Sequence, residues 1–78
     1  GAGVVGPQYY IVTASYKEFE SANTEMKSMR LKGYPAAFIL YHEPLHRVVI
    51  ASYKEYEKAS EMKNELKDKF PGIWVLYQ

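Results

Sequence analysis

Two spacings of apolar residues alternate along the chain. Four short runs are rich in β-branched and aromatic residues, which favour strands: 9–13, 36–41, 47–50 and 73–77. Between these runs, apolar residues recur at intervals of three and four, which places them on one face of a helix. They are Phe19, Ala22, Met26 and Met29 in the first stretch, and Tyr56, Ala59, Met62, Leu66 and Phe70 in the second. The pattern predicts strand, helix, strand, and then the same again.

The two halves of the chain also repeat each other in sequence. With an offset of 37 (47 − 10), residues 11–22 align with 48–59, and five consecutive letters, Ala-Ser-Tyr-Lys-Glu, are identical. Such an identity in a chain of 78 residues indicates two copies of one unit, about 9–41 and 46–77. Two strand-helix-strand units predict a ferredoxin-like α+β fold (βαββαβ), a four-stranded antiparallel sheet with both helices on one face. We expect residues 1–8 to be a linker or tail.

Turn and cap signals set the expected ends of the elements. Gly33 is expected to end the first helix, and Pro71-Gly72 the second. The repeated Ser-Tyr-Lys-Glu has the form of a capping box with Ser15 or Ser52 as N-cap, although a helix that begins one turn later also fits. Residues 42–46 are expected to form the turn between the halves.

Alternation within each strand assigns side chains to the two sheet faces. The residues expected to point towards the helices are Ile11, Thr13, Ala36, Phe38, Leu40, Val48, Ile50, Ile73, Val75 and Tyr77. Those expected on the other face are Tyr10, Val12, Ala14, Ala37, Ile39, Tyr41, Arg47, Val49, Ala51, Trp74 and Leu76. A sheet face in water is usually polar, whereas this one is apolar and aromatic, which is typical of an interaction site. The plainer alternative is that flanking segments or a second chain cover it.

A sugar suits such a surface. The apolar C–H face of a pyranose ring lies flat on an aromatic ring, while its hydroxyls need donors and acceptors at the edge. The chain has eight tyrosines and 15% aromatic residues, as expected of a half-wet contact surface. The candidate ligand-binding residues are Tyr10, Val12, Ser15, Ile39, Tyr41, Arg47, Val49, Trp74 and Leu76.

Charge and cysteine content narrow the functional classes. The net charge of +1 lacks the basic excess of nucleic-acid binders. The absence of cysteine excludes a disulfide framework, a thiol nucleophile and a cysteine-ligated metal. No apolar run approaches the roughly 20 residues of a membrane span, and the first residues do not resemble a signal peptide. We expect this chain to be one domain of a longer exported or membrane-anchored protein.

One short segment matches a metalloprotease pattern. Residues 42–46 read His-Glu-Pro-Leu-His, which fits H-E-x-x-H. That chemistry needs both histidines on one face of a helix, which Pro44 would break. We therefore expect a surface turn here, with no metal or cofactor. Because the sequence also lacks a Gly-rich phosphate loop and paired carboxylates in a cleft-like context, we expect no catalytic residue.

Several motifs, taken in order, resemble the SPOR (sporulation-related repeat) domain. The opening Tyr-Tyr-Ile-Val-Thr-Ala-Ser-Tyr at 9–16 is similar to the family's aromatic pair, β run, small residue, serine and aromatic. Lys32-Gly33-Tyr34 resembles the turn into the second strand, and His46-Arg47-Val48 the opening of the second half. The ending, Phe-Pro followed by Ile-Trp-Val-Leu, is similar to SPOR domains of Bacteroidetes-type proteins. The resemblance covers about residues 9–77.

The resemblance implies a function and a location. It implies a non-catalytic module that binds peptidoglycan glycan strands, especially strands stripped of peptide stems, through the open sheet face. It also implies a place in the periplasm or cell envelope, often at division sites. Family contacts come from a first-strand Gln and the Ser that follows the strand. Ser15 matches the serine, whereas Val12 stands at the Gln position.

Two other classes remain open at this stage. RNA-recognition domains share the βαββαβ order and use aromatic residues on the open sheet, but their basic-Gly-aromatic signature is missing from the third strand. A structural role, with a weak homodimer formed through the open face or an edge strand, is the other alternative.

Overall fold

The computed structural model describes residues 7–78. Residues 1–6 of the predicted tail (1–8) therefore lie outside the described residues. Within this range, the strands are β1 (Tyr9–Tyr16), β2 (Phe38–His42), β3 (Leu45–Tyr53) and β4 (Trp74–Tyr77). The helices are α1 (Phe19–Leu31) and α2 (Tyr56–Leu66). The element order βαββαβ that the sequence predicts is confirmed.

The strands form one antiparallel sheet in the order β2-β3-β1-β4. The first strands of the two repeats, β1 and β3, lie in the centre, and the second strands lie at the edges. Helix α1 contacts β1, β2 and β3, and α2 contacts β1, β3 and β4, so both helices cover the same face. This is the predicted ferredoxin-like arrangement.

The main core lies between the helices and the sheet. Its buried members are Ile11, Ala22, Met26, Met29, Ala37, Val48, Ile50, Ala59 and Ile73. Burying one medium-sized apolar side chain contributes roughly 1.5–3 kcal/mol. The residues with helical spacing pack against this core, except that Phe19 and Tyr56, the first residues of the helices, remain half-exposed.

Both helices begin one turn later than the capping-box prediction. Ser15 lies inside β1 and Ser52 inside β3, and the N-cap residues are Glu18 and Glu55. Both N-caps have extended backbones, and neither side chain makes a capping hydrogen bond. The prediction of Ser15 and Ser52 as caps is therefore wrong, because the long pairing of the two central strands holds both serines in the sheet.

The end of α1 agrees with the sequence, whereas α2 ends before the predicted Pro71-Gly72. Gly33 adopts a left-handed backbone (φ 111°) just after α1, and the Tyr34 N–H then donates to the Met29 carbonyl. Helix α2 ends at Leu66, earlier than its apolar spacing indicated. The Phe70 N–H donates to the Leu66 carbonyl at 2.8 Å, so Phe70 still packs on the core from a turn.

The sequence repeat appears in the sheet as an approximate twofold symmetry. Val12 and Val49 are equivalent at the offset of 37, and they face each other in the β1–β3 ladder. The pseudo-twofold axis therefore lies between these two valines. Next to them, each strand carries one extra residue, Thr13 in β1 and Ile50 in β3, and these two are again equivalent. Each such bulge puts the alternation on its two sides out of phase.

Candidate functional site

The sheet face opposite the helices carries a second, smaller apolar cluster. Its buried members are Val12, Val49 and Leu76, with Tyr10, Phe38 and Leu40 packed against them. We define the open face as these six residues together with Ser15, Arg47, Ser52 and Trp74. The predicted positions of Tyr10, Val12, Arg47, Val49, Trp74 and Leu76 on this face agree with the structure.

The two axial valines do not form part of the accessible surface. Val12 and Val49 are both 0% exposed, although they lie on the face that no helix covers. Leu76 is also buried. The expectation that these residues contact a ligand directly is therefore corrected: they support the larger side chains above them.

Strand β2 faces the opposite way from the prediction. Phe38 and Leu40 pack on the valine cluster of the open face, whereas Ile39 packs against the core under the helices. Tyr41 alternates with Leu40, and its ring contacts His46 on the helix side, with 4.9 Å between centroids. Ile39 and Tyr41 therefore do not belong to the open face. Residues 36–41 are all apolar or aromatic. No polar residue therefore marks which side of this strand faces water.

The bulges cause two further corrections. Ala51 packs against the core under the helices, because the bulge in β3 shifts the phase of the strand. Ala14 pairs with Val48, and paired residues share a face, so Ala14 also lies on the helix side. The bulge at Thr13 in β1 also brings Ser15 to the open face. The residues predicted there but found on the helix side are Ala14, Ala37, Ile39, Tyr41 and Ala51.

Arg47 and Trp74 form one half of the accessible surface. The Arg47 Nη1 donates a hydrogen bond to Ser15 Oγ at 3.0 Å, and the guanidinium carbon lies 5.4 Å from the centroid of the Trp74 ring. Arg47 is on β3 and Trp74 on β4, so the arginine reaches across β1 and the buried Val12. Its Nε is buried and has no partner among residues 7–78. Trp74 remains 37% exposed.

Tyr10 and Phe38 form the other half. Their rings meet edge to face, with 6.1 Å between centroids and 77° between planes, a favourable aromatic geometry. Tyr10 is on β1 and Phe38 on β2, so this pair bridges β3 and the buried Val49. This half carries no charge.

The pseudo-twofold axis relates these two halves. Tyr10 is equivalent to Arg47 at the offset of 37. Phe38 is equivalent to Trp74, because each is the sheet partner of one of the two axial valines. The Tyr10–Phe38 pair is therefore the counterpart of the Arg47–Trp74 pair, with a neutral aromatic ring in place of a guanidinium.

Phe38, Leu40 and Ser52 also belong to the open face, although alternation along the sequence did not place them there. A signal for the first two is present in the sequence. The letters Phe-Ile-Leu-Tyr that start at Phe38 match Trp-Val-Leu-Tyr that start at Trp74, at an offset of 36. Since the second run was placed with its Trp and Leu outward, the same orientation follows for the Phe and Leu of the first. The first strands of the two repeats align at an offset of 37 and the second strands at 36. This difference of one residue concealed the equivalence of Phe38 and Trp74.

On the helix side, two aromatic clusters join the start of each helix to the sheet. One contains Phe19, His46 and Tyr41, and the other contains Tyr56, Tyr9 and Tyr77. The ring centroids within them are 4.6–5.7 Å apart. Such pairs contribute about 0.5–1.5 kcal/mol beyond their burial. These clusters connect the half-exposed first residue of each helix to the sheet.

Arg47 provides the charge of the open face, since the other nine residues of that surface are uncharged. On the neighbouring strand, burial and then the carboxylate of Glu25 raise the pKa of Tyr16, the residue after the Ser15 that pairs with Arg47. That phenol therefore stays neutral at physiological pH and adds no negative charge at this end of β1. An acidic group on a ligand would meet an unopposed guanidinium.

The shape of the described chain limits what it can bind. Residues 7–78 enclose no pocket, so a ligand has to lie on an open surface. The His-Glu-Pro-Leu-His segment is a hairpin, in which Glu43 and Pro44 connect β2 to β3, so the turn predicted at 42–46 is present but limited to these two residues. His42 Nδ1 is hydrogen-bonded to Gln78 Oε1. In this part of the chain no three potential metal ligands cluster, and neither helix has the length and apolarity needed to cross a bilayer.

Comparisons with known proteins agree with this architecture. The family model described as the SPOR domain matches residues 6–77. Among solved structures, the chain is similar to the solution structure of the peptidoglycan binding domain of the B. subtilis cell wall lytic enzyme CwlC. The TM-score is 0.69 at 17% sequence identity, covering 96% of this chain and 94% of the other. A search of curated proteins gave no match. Because the family model spans nearly the whole chain, the protein belongs to the SPOR domain family.

Proposed function

We propose that this SPOR domain is a non-catalytic peptidoglycan-binding module whose ligand is the glycan strand, preferentially stripped of its peptide stems. The proposed contacts are Tyr10, Ser15, Phe38, Leu40, Arg47 and Trp74, supported from below by Val12, Val49 and Leu76. Family membership supports the ligand class. The CwlC domain, which has the same fold, is itself described as peptidoglycan binding.

The observation that carries the proposal is the Arg47–Trp74 pair beside Ser15, on a sheet face that the helices leave uncovered. An indole ring offers an apolar plane to the C–H face of a sugar. The guanidinium and the hydroxyl at its edge offer donors and an acceptor for sugar hydroxyls and acetamido groups. Both kinds of contact are needed, because a sugar ring is apolar on its faces and polar around its rim.

The open shape of the site supports a polymer as ligand. A small molecule usually binds in a concave pocket that buries most of its surface, and residues 7–78 form none. A flat, extended face instead accommodates one stretch of a longer chain. Several weak sugar contacts along that face would then add up to useful affinity.

Binding to purified peptidoglycan sacculi tests the proposal, with sacculi assayed before and after amidase treatment. Wild-type protein is expected to co-sediment, and more strongly after the amidase has removed the stems. Trp74→Ala is expected to weaken binding by about tenfold, which corresponds to roughly 1.4 kcal/mol. Tyr77→Ala is the matched control, because Tyr77 is an exposed aromatic residue of the same strand on the opposite face. It is expected to leave binding unchanged.

Several outcomes would contradict the proposal. Absence of retention on both kinds of sacculi would exclude glycan binding, and equal losses in the two variants would exclude the open face as its site. Salt-dependent retention of single-stranded RNA would instead favour the RNA-binding alternative. Concentration-dependent light scattering that Trp74→Ala abolishes would favour a self-association surface.

We also propose that the domain acts in the cell envelope as part of a longer exported or membrane-anchored protein. Stripped glycan arises where cell-wall amidases act, as at division sites, so binding to it would localise the parent protein there. A fluorescent fusion exported to the periplasm is expected to accumulate at the division site. A uniform envelope distribution, unchanged by Trp74→Ala, would contradict this role.

A further inference from the structure

We propose that the open face holds two sugar subsites related by the pseudo-twofold axis, one cationic and one neutral. The cationic subsite is Arg47, Trp74 and Ser15, and it takes a sugar that carries a free carboxylate. The neutral subsite is Tyr10, Phe38 and Ser52, and it takes an uncharged N-acetylated sugar. This inference rests on the proposed glycan binding and adds a second site and a chemical preference for each.

The equivalence of the two subsites extends to their polar edges. Ser15 is the ladder partner of Arg47, and Ser52 is the ladder partner of Tyr10. The two serines are themselves equivalent at the offset of 37. Each subsite therefore has one aromatic ring from an edge strand, one long side chain that reaches that ring across a central strand, and one serine beside it.

The two subsites differ in charge, and this difference predicts their preferences. Arg47 donates one hydrogen bond to protein among the described residues, to Ser15, and an arginine has five N–H donors. The guanidinium carbon lies over the Trp74 ring, and the planar fork of a guanidinium favours a two-pronged contact with a carboxylate. At the equivalent position, the neutral ring of Tyr10 offers an apolar plane and one hydroxyl.

The distance between the subsites fits an oligosaccharide. Tyr10 and Ser15 lie at opposite ends of the open face on β1, with one bulge between them. At roughly 3.3 Å per residue, their Cα atoms are about 15 Å apart. A single sugar does not span that distance, whereas a short stretch of polymer does. The glycan strand of peptidoglycan alternates a neutral N-acetylated sugar with one that carries a lactyl group. The lactyl carboxylate is free only after the peptide stem is removed.

The two unequal subsites thus explain a preference for stripped strands. An intact strand carries an amide where Arg47 would meet a carboxylate. A stripped strand places its negative charge on the cationic subsite and a neutral sugar on the other. The open face would therefore bind the glycan strand and also determine which of its sugars lies on which subsite.

Chemical-shift mapping on the wild-type domain is the first test, with a peptide-stripped glycan tetrasaccharide as probe. Backbone and side-chain resonances of both subsites are expected to move together with one affinity. Shifts confined to Ser15, Arg47 and Trp74 would leave glycan binding in place and overturn the second subsite. An absence of shifts at millimolar probe would overturn both the proposed function and this inference.

The neutral subsite is tested with a pair of matched variants. Phe38→Leu keeps an apolar side chain of similar volume and removes the ring, and it is expected to weaken tetrasaccharide binding about tenfold. Tyr41→Leu removes an exposed ring from the same strand on the other face and is expected to change nothing. Equal affinity of Phe38→Leu and wild type would overturn the second subsite.

The charge preference is tested with a chemically reduced ligand, in which each lactyl carboxylate has become an alcohol. Wild type is expected to bind the reduced tetrasaccharide about tenfold more weakly than the acidic one. Arg47→Gln is expected to bind both ligands equally. If Arg47→Gln still prefers the acidic ligand, or if wild type does not discriminate, the assignment of Arg47 to a carboxylate is wrong.

Discussion

Arg47 packs against neighbouring side chains and also carries the charge of the proposed binding surface. Its Nε is buried, its Nη1 donates to Ser15, and its guanidinium carbon lies over the Trp74 ring. A lysine has no planar group to stack and no fork of donors. Arginine is therefore the residue type whose charge can be both fixed in direction and kept at the surface.

We predict that Arg47→Gln lowers the free energy of unfolding by about 2–4 kcal/mol, the sum of a cation–π contact (about 0.5–1 kcal/mol) and one charged hydrogen bond (about 1.5–3 kcal/mol). Urea denaturation measures the change, and the single tryptophan of the chain, Trp74, reports on it by fluorescence. Lys27→Gln removes the same charge from an exposed position of α1 and is expected to change stability by less than about 0.5 kcal/mol. A similar loss in both variants would mean that general charge, and not the local contacts, matters.

At the scale of elements, the two bulges place the serines of the proposed subsites on the open face. The bulge at Thr13 keeps Ser15 on the same face as Arg47, whereas strict alternation through Thr13 would turn Ser15 towards the helices. The bulge in β3 has the same effect on Ser52. These irregularities occur at equivalent positions in the two repeats, as expected of a feature that positions functional side chains.

The end of α1 gives a second prediction at this scale. Gly33 has φ 111°, a conformation that other residues adopt only with strain. Gly33→Ala is expected to lower the free energy of unfolding by about 1 kcal/mol or more. Gly72→Ala is the control, because Gly72 has no positive φ and an added Cβ would meet open space. Thermal melts of both variants check this, and equal melting temperatures would contradict it.

The starts of the helices offer a stabilising change. Glu18 has N-cap geometry but makes no side-chain capping bond, whereas aspartate is among the best N-cap residues. Glu18→Asp keeps the charge and is expected to raise the free energy of unfolding by about 0.5–1 kcal/mol. Glu20→Asp makes the same exchange inside the first turn of α1, where no cap is gained, and is expected not to stabilise. Urea denaturation of the two variants decides the matter.

At the scale of the whole molecule, the two repeats are interleaved. In the sheet, β1 and β2 of the first repeat are separated by β3 of the second. Each repeat therefore finds its sheet partners mainly in the other, and the axial valine pair contains one residue from each. Neither half can build the open face alone, because each half supplies the aromatic ring and the long side chain of one proposed subsite but the serine of the other.

We predict that the separate halves, 7–42 and 43–78, are unfolded on their own. In the intact sheet, the strands of each half pair with strands of the other half, and an isolated half lacks those partners. Far-UV circular dichroism of the two peptides is expected to show disordered chains, while the intact domain shows mixed helix and sheet. The break falls in the β2–β3 hairpin and removes no residue of a helix or strand. A folded isolated half would show that the repeats are independent units.

The sequence by itself determined the element order, the duplication, the fold and the family. These follow from local features: hydrophobic spacing that repeats and a five-residue identity between the halves. It also predicted Tyr10, Arg47 and Trp74 on the uncovered face. These residues lie in parts of β1, β3 and β4 without a bulge, where the regular alternation of side chains assigns the face correctly.

Only the tertiary structure decided the register and the real extent of the surface. The bulges at Thr13 and Ile50 leave no mark in composition, and β2 is apolar on both sides, so its orientation depends on which residues the core accommodates. Burial of the axial valines likewise depends on side chains that reach across a neighbouring strand. Such contacts join residues distant in sequence, and for this reason the two subsites became visible only in the folded sheet.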